Sequence, residues 1–246
     1  MKTIHLTISI GLITTLSAVA NPPTHSKTVL DPGVYTEGST FGDVNGDGQL
    51  DFVAGPFWWQ GPKFEKRHRY RAGEAVPAAG YKHNSFQSWV IDMNGDGRAD
   101  IFQVPHDGKF HLDLYLQPEK PSESWPVHRV VSKMGNESPE IADITGDGKP
   151  ELIAMRGGRF GIFSPDWNDA TKPWAFHPIS NERTRSPYYH GLGYGDINGD
   201  GRIDLLEMKG WYEAPEKPLE GGVWKFHEYA FCSNKGGAQM LVYDVD

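Results

Sequence analysis

Apolar residues in this chain come in short clusters rather than in a helical rhythm. Ser39-Thr40-Phe41, Ser88-Trp89-Val90-Ile91, Glu140-Ile141-Ala142 and Leu192-Gly193-Tyr194 each run into a stretch rich in Asp and Gly. On the far side stand Phe52-Val53-Ala54, Ile101-Phe102-Gln103-Val104, Leu152-Ile153-Ala154-Met155 and Leu205-Leu206-Glu207-Met208. Short β-branched and aromatic runs on either side of a tight polar loop predict the two arms of a β-hairpin. A third strand is expected beyond each hairpin, clearest at Phe110-His111-Leu112-Asp113-Leu114-Tyr115-Leu116. A fourth is expected around a recurring Trp-x-x-His, at Trp125/His128, Trp174/His177 and Trp224/His227, with Phe64 and His68 as a looser version. The pattern therefore predicts four strands per repeat.

The loops between the first two strands set the period. They read DVNGDGQLD from Asp43, DMNGDGRAD from Asp92, DITGDGKPE from Asp143 and DINGDGRID from Asp196, and a fifth copy opens at Asp244-Val245-Asp246. Repeats of this length with four strands each are the signature of propeller blades. The expected fold is all-β, a β-propeller with four near-complete repeats and the start of a fifth, within a larger ring of about seven blades. Ser26–Asp31 lies in register with a fourth strand such as His128-Arg129-Val130-Val131-Ser132, and is expected to complete the last blade of that ring. With the break at Asp246, this predicts that the chain is an N-terminal fragment of a longer propeller.

The loop pattern D-x-N-x-D-G-x-x-D suits a hard cation. Calcium takes six to eight oxygen ligands. Positions 1, 3 and 5 put side-chain oxygens on one side of a tight turn, position 7 offers a backbone carbonyl, and position 9 returns a carboxylate. The predicted ligands are Asp43, Asn45, Asp47, Gln49 and Asp51; Asp92, Asn94, Asp96, Arg98 and Asp100; Asp143, Thr145, Asp147, Lys149 and Glu151; and Asp196, Asn198, Asp200, Arg202 and Asp204. Gln49, Arg98, Lys149 and Arg202 would serve through their carbonyls. A plain turn needs one Asn-Gly or Asp-Gly, not acids at positions 1, 5 and 9 in four copies. About four Ca2+ ions are expected. The third loop departs from the pattern, with Thr145 at position 3 and Pro150-Glu151 at positions 8 and 9. The histidines of the Trp-x-x-His repeat invite a metal reading too, but one per blade on an outer strand would keep them apart. Local hydrogen bonds explain them better.

Composition narrows the setting. The formal net charge is -8, so no basic field points to nucleic acid. A positive Lys2, an apolar run from Leu6 to Leu16 and Ala18-Val19-Ala20 read as a cleavable secretory leader over residues 1–20, leaving 21–246 as the propeller domain. The apolar run is too short to span a bilayer, and no other stretch could. The expected location is secreted or periplasmic. The single cysteine, Cys232, forms no internal disulfide, so bound ions are expected to do the stapling.

These residues resemble the FG-GAP/VCBS-type calcium-binding propeller repeats of integrin α-chains and secreted bacterial proteins. Phe41-Gly42 and Gly55-Pro56 echo the FG…GP of the repeat, while the other copies depart from it. Phe57-Trp58-Trp59-Gln60-Gly61-Pro62 and Gly210-Trp211-Tyr212-Glu213-Ala214-Pro215 look like the aromatic turns of the bacterial members. The resemblance implies a calcium-binding propeller and no particular activity. A candidate ligand face is expected at the hairpin ends away from the Asp loops, with Trp58, His83, His106, Asp107, Glu137, Arg156, His190 and Trp211. Two functions fit. One is a recognition or scaffold module for a glycan or protein partner. The other is the propeller of a carbohydrate-active enzyme of the polysaccharide lyase or sugar dehydratase type. No nucleophile motif, close histidine pair or phosphate loop speaks for catalysis.

Overall fold

The computed structural model describes residues 26–77, 85–105, 110–184, 186, 188–232, 237 and 239–244. The leader expected over residues 1–20 lies outside them. The chain divides into two compact units, Met1–Asp31 and Pro32–Asp246. In the first, residues 26–31 carry no strand, and the blade they are expected to complete is not among the four sheets described below. An isolated strand leaves its backbone donors and acceptors without a ladder.

The second unit consists of four antiparallel four-stranded sheets, each a meander of consecutive strands. The first holds β1 (Ser39–Gly42), β2 (Asp51–Ala54), β3 (Phe57–Trp59) and β4 (Arg67–Arg69). The second holds β5 (Gln87–Ile91), β6 (Asp100–Val104), β7 (Leu112–Tyr115) and β8 (Val127–Val131). The third holds β9 (Gly135–Ala142), β10 (Glu151–Arg156), β11 (Arg159–Ser164) and β12 (Ala175–Pro178). The fourth holds β13 (Leu192–Gly195), β14 (Asp204–Glu207), β15 (Gly210–Glu213) and β16 (Lys225–Glu228). The Asp-rich loops are the turns between the first two strands of each sheet.

Successive sheets pack face to face over three separate cores. Val53, Tyr70, Ile101 and Tyr115 join the first sheet to the second. Phe102, Leu114, Leu152 and Phe163 join the second to the third. Ile153, Ile162, Leu205 and Tyr212 join the third to the fourth. The second strands of the second and third sheets are thus buried on both faces, and their sequences are accordingly apolar runs rather than alternations.

The Trp-x-x-His repeat works between sheets. The backbone amides of Trp125, Trp174 and Trp224 each donate at 2.8 Å to a carbonyl of the preceding sheet's outer edge, at Tyr70, Val130 and Ile179. Their indoles are buried in the core below. The histidines stay in separate sheets and find local partners: His177 pairs with Ser164 Oγ at 2.8 Å and His227 with Glu213 at 2.6 Å.

First strands also meet. A Cβ built on Gly38 would stand 2.3 Å from the carbonyl oxygen of Phe86, so glycine is what lets the first two sheets approach there. Gly38→Ala is expected to cost roughly 1–3 kcal/mol through overpacking against rigid backbone. Urea denaturation would show this as a lower midpoint with an unchanged slope.

Candidate functional site

Each Asp-rich loop is a cage of backbone amides built by its own side chains. In the first, Asp43 accepts from the amides of Gly46 (2.8 Å), Asp47 (3.1 Å) and Gly48 (2.8 Å). Three amides can face one carboxylate because Gly46 and Gly48 take φ of 74° and 80°, a region that other residues enter at a cost. Asn45 Oδ1 accepts from the Asp47 amide while its Nδ2 donates to the Asp47 carboxylate, both at 2.9 Å. Asp47 in turn accepts from the Gln49 amide at 2.9 Å. The second and fourth loops repeat this set on Asp92, Asn94 and Asp96 and on Asp196, Asn198 and Asp200. There the position-7 arginines, Arg98 and Arg202, fold back in close ion pairs with Asp96 and Asp200.

The closing acid plays a different part. Asp51, Asp100 and Asp204 are fully buried, and Glu151 is nearly so. Each aspartate ties the loop to the strand ladder through both oxygens. Asp51 accepts from Val44 (2.9 Å) and Gly61 (2.8 Å), Asp100 from Met93 (3.0 Å) and Gln117 (2.9 Å), and Asp204 from Ile197 (3.0 Å) and Ala214 (2.8 Å). In the third sheet the corresponding residue after the third strand is Pro165, which has no N–H. The longer Glu151 accepts from Ile144 at 3.0 Å, and its other oxygen faces the Thr145 hydroxyl at 3.5 Å. The departures at Thr145 and Glu151 thus accompany a missing amide.

Burial pushes Asp100 up to about 6 and Glu151 up to about 7, and the like charges of the two other acids in each loop add to the rise. Asp204 is raised for the same reasons. The loops therefore hold three carboxylates within electrostatic reach and an all-oxygen donor set, which fits a hard divalent cation. Among the described residues no three His, Cys, Asp or Glu side chains converge on a common point, because each carboxylate is turned to loop amides.

The opposite end of the hairpins gathers a second set. His190, just before β13, makes a close contact through Nε2 with the Glu137 carboxylate of β9, and the Glu137 amide donates to the Tyr189 carbonyl at 3.1 Å. The Tyr189 hydroxyl donates to Glu207 at 2.9 Å, and Arg183 Nη2 reaches the other Glu207 oxygen at 2.5 Å. Glu207 is buried, and burial followed by that carboxylate raises the Tyr189 phenol above its ordinary range. Around Glu137 the strand bulges: Asn136 sits at φ 81°, and the buried Asn136 Nδ2 and Ser138 Oγ have no hydrogen-bond partner among the described residues.

The residues expected as one ligand face are dispersed. Glu137 and His190 meet. Trp58 and Trp211 do not join them, since β2 ends at Ala54 and β15 begins at Gly210, so both indoles belong to third strands. There they stack flat on His68 and His227, with ring centres 4.0 and 4.1 Å apart. Arg156 stands over the Phe176 ring of the outermost strand of its sheet. His83, His106 and Asp107 lie outside the described residues. Arg183, Asn136 and Glu207 were not singled out from the sequence. For Glu207 the signal was an acid inside the apolar run Leu205–Met208, at the place where Ile101–Val104 carries the buried Gln103. Glu207→Ala strands the Arg183 charge and the Tyr189 hydroxyl, and is expected to cost about 3 kcal/mol by urea denaturation, with Glu207→Gln costing less.

Residues 92–154, from the second Asp-rich loop through β10, match the family model described as FG-GAP-like repeat. The class defined is thus an all-β protein of four-stranded antiparallel sheets, of which residues 92–154 are similar to an FG-GAP-like repeat. No curated protein matches the chain. Two solved structures are similar to it. One is an Agrocybe aegerita lectin whose structure describes specific recognition of non-reducing terminal N-acetylglucosamine, at 17% identity over 76% of this chain and 50% of that one, with a TM-score of 0.47. The other is rhamnogalacturonan lyase YesW, at 13% identity over 74% of this chain and 41% of that one, with a TM-score of 0.42. The chain spans half the length of the first structure and less of the second.

Proposed function

We propose that this chain is a calcium-stapled arc of a β-propeller of about seven blades, working outside the cytoplasm as a recognition module for a glycan or protein partner. One observation carries the reading: the same loop, with three acids and its first aspartate held by backbone amides, recurs in four sheets. Asp43, Asn45, Asp47, the Gln49 carbonyl and Asp51, with their counterparts in the other loops, would hold the ions. A divalent charge would favour the ionised forms of Asp100 and Glu151, which burial first and the neighbouring acids second disfavour, and would staple a chain that has one cysteine. Calorimetric calcium titration, with melts in calcium and in chelator, tests this. Saturable uptake of three or four ions supports it, and no uptake with no change in melting removes it.

A second reading, the propeller of a carbohydrate lyase or dehydratase, draws on the Glu137–His190 pair beside Tyr189, Arg183 and Glu207. An imidazole against a carboxylate with a phenol nearby is a plausible acid/base set. Under this reading His190→Ala abolishes formation of unsaturated product from acidic polysaccharide while the fold is kept. Wild-type protein without turnover would rule the reading out.

A further inference from the structure

We infer that the cleft between the first and second sheets is a binding site for an acidic oligosaccharide. This names a ligand class for the recognition module proposed above and rests on that reading. The cleft has a volume of about 800 Å3, within the ~300–1,000 Å3 of small-ligand sites. Its floor is aromatic. Trp58 and Trp125 are buried below it, and the Trp58 indole lies flat on His68, with an interplanar angle of 11°. His68 is held below its ordinary pKa, by burial first and by Lys66 second, so this stack is a neutral, rigid surface at physiological pH. The half-buried His68, held in place by the Trp58 beneath it, is the ring that the cleft offers to the C–H face of a pyranose, and its preorganisation carries little ordering cost.

The rim chooses the charge of the ligand. Five Lys and Arg side chains line the cleft against three carboxylates, in a protein whose net charge is -8. Three of the cations already have work in the fold. Arg98 pairs with Asp96 and donates to the Gln117 carbonyl, Arg69 donates to the Gly73 carbonyl at 3.1 Å, and Arg67 and Arg69 both stand over the Phe57 ring, at 4.3 and 4.6 Å. Asp47 is likewise committed to its loop. Lys66, from the first sheet's side, and Lys120, from the second's, line the cleft and are both exposed. Glu119 and Glu123, on the Lys120 side, are the opposing charges; they would repel a misplaced anionic group and so fix the register of one bound against Lys66. Aromatic floor and cationic rim together fit sugar rings bearing carboxylate or sulfate groups.

The test is calorimetry on residues 21–246 with trigalacturonate, a sulfated disaccharide, neutral maltotriose and hexaglutamate. Saturable binding of either acidic sugar is expected, with maltotriose and hexaglutamate at least tenfold weaker, and the tighter of the two acidic sugars identifies the anionic group. Lys66→Glu with Lys120→Glu should weaken binding tenfold or more while leaving the melting temperature unchanged. Lys209→Glu, in the fourth sheet, should leave the affinity unchanged. Equal affinity for maltotriose, equal or tighter binding of hexaglutamate, or affinity unaffected by the double charge reversal would overturn the inference. Failure here with calcium stapling intact removes only the cleft. Loss of calcium stapling with acidic sugar still bound removes only the staple.

Discussion

Chelation is expected to lower the melting temperature of residues 21–246 by tens of degrees. Each ion that binds only the folded chain adds about 2.7 kcal/mol when calcium stands a hundredfold above its Kd. Four loops together would add roughly 10 kcal/mol, comparable to the whole stability of an ordinary domain. At about 2–4 °C per kcal/mol for a chain of this size, a fall of roughly 20–40 °C follows. The melt should also depend on pH in a way that reverses with the ion. In chelator, Asp100 at about 6 and Glu151 at about 7 stand above their unfolded values. A raised folded-state pKa gives stability that is present below the unfolded pKa and lost as pH rises through the folded one. Chelated protein should therefore be more stable near pH 5 than near pH 8, and calcium-loaded protein the reverse, since the ions favour the carboxylates. Scanning calorimetry at both pH values, with and without chelator, reads both effects. A chelator-independent melt would show that the amide cages suffice by themselves.

Asp100→Ala is expected to be severe even without calcium. The substitution leaves the buried amide of Met93 and the half-buried amide of Gln117 without the carboxylate that accepts from both. Hydrogen bonds to a charged acceptor contribute about 1.5–3 kcal/mol each, so roughly 3–6 kcal/mol is at stake. Asp92→Ala removes more bonds from the same loop, but its amides are exposed and water replaces the lost partner. In chelator it should cost about 1 kcal/mol. In calcium both variants should also lose one ion by titration. Equal and small costs for the two variants in chelator would mean that the closing acid serves only as a ligand. Asp204→Ala should behave like Asp100→Ala, because Ile197 and Ala214 present the same pair of amides.

The loops and strands were legible because their determinants are local. Every bond from Asp43, Asn45 and Asp47 to the first loop's own backbone falls within that loop, and both glycines stand where the chain must turn through positive φ. The same nine-residue pattern therefore fixes the same hairpin four times, and the apolar runs on either side fix its strands. The Trp-x-x-His repeat was visible, but its role was not. Only packing shows that the amide of Trp125, Trp174 or Trp224 donates to the preceding sheet.

The ligand face was least legible, because it depends on which ends of distant strands meet. Trp58 and Trp211 were placed by counting from the loops, and the two-residue turns after β2 and β14 send the next aromatics into the third strands, where each faces a histidine. Glu137 and His190 come together across successive sheets, as do Arg183 and Glu207, and no spacing in the chain encodes either meeting. The sequence by itself determined the repeat, the four-stranded unit and the oxygen-rich loops, because a hairpin and its turn are fixed by neighbours along the chain. The tertiary structure alone decided the inter-sheet contacts, the bulge at Asn136 and the cleft floored by Trp58 and Trp125. Those depend on how buried faces fit against one another, and close packing is a property of surfaces brought together from far apart in sequence.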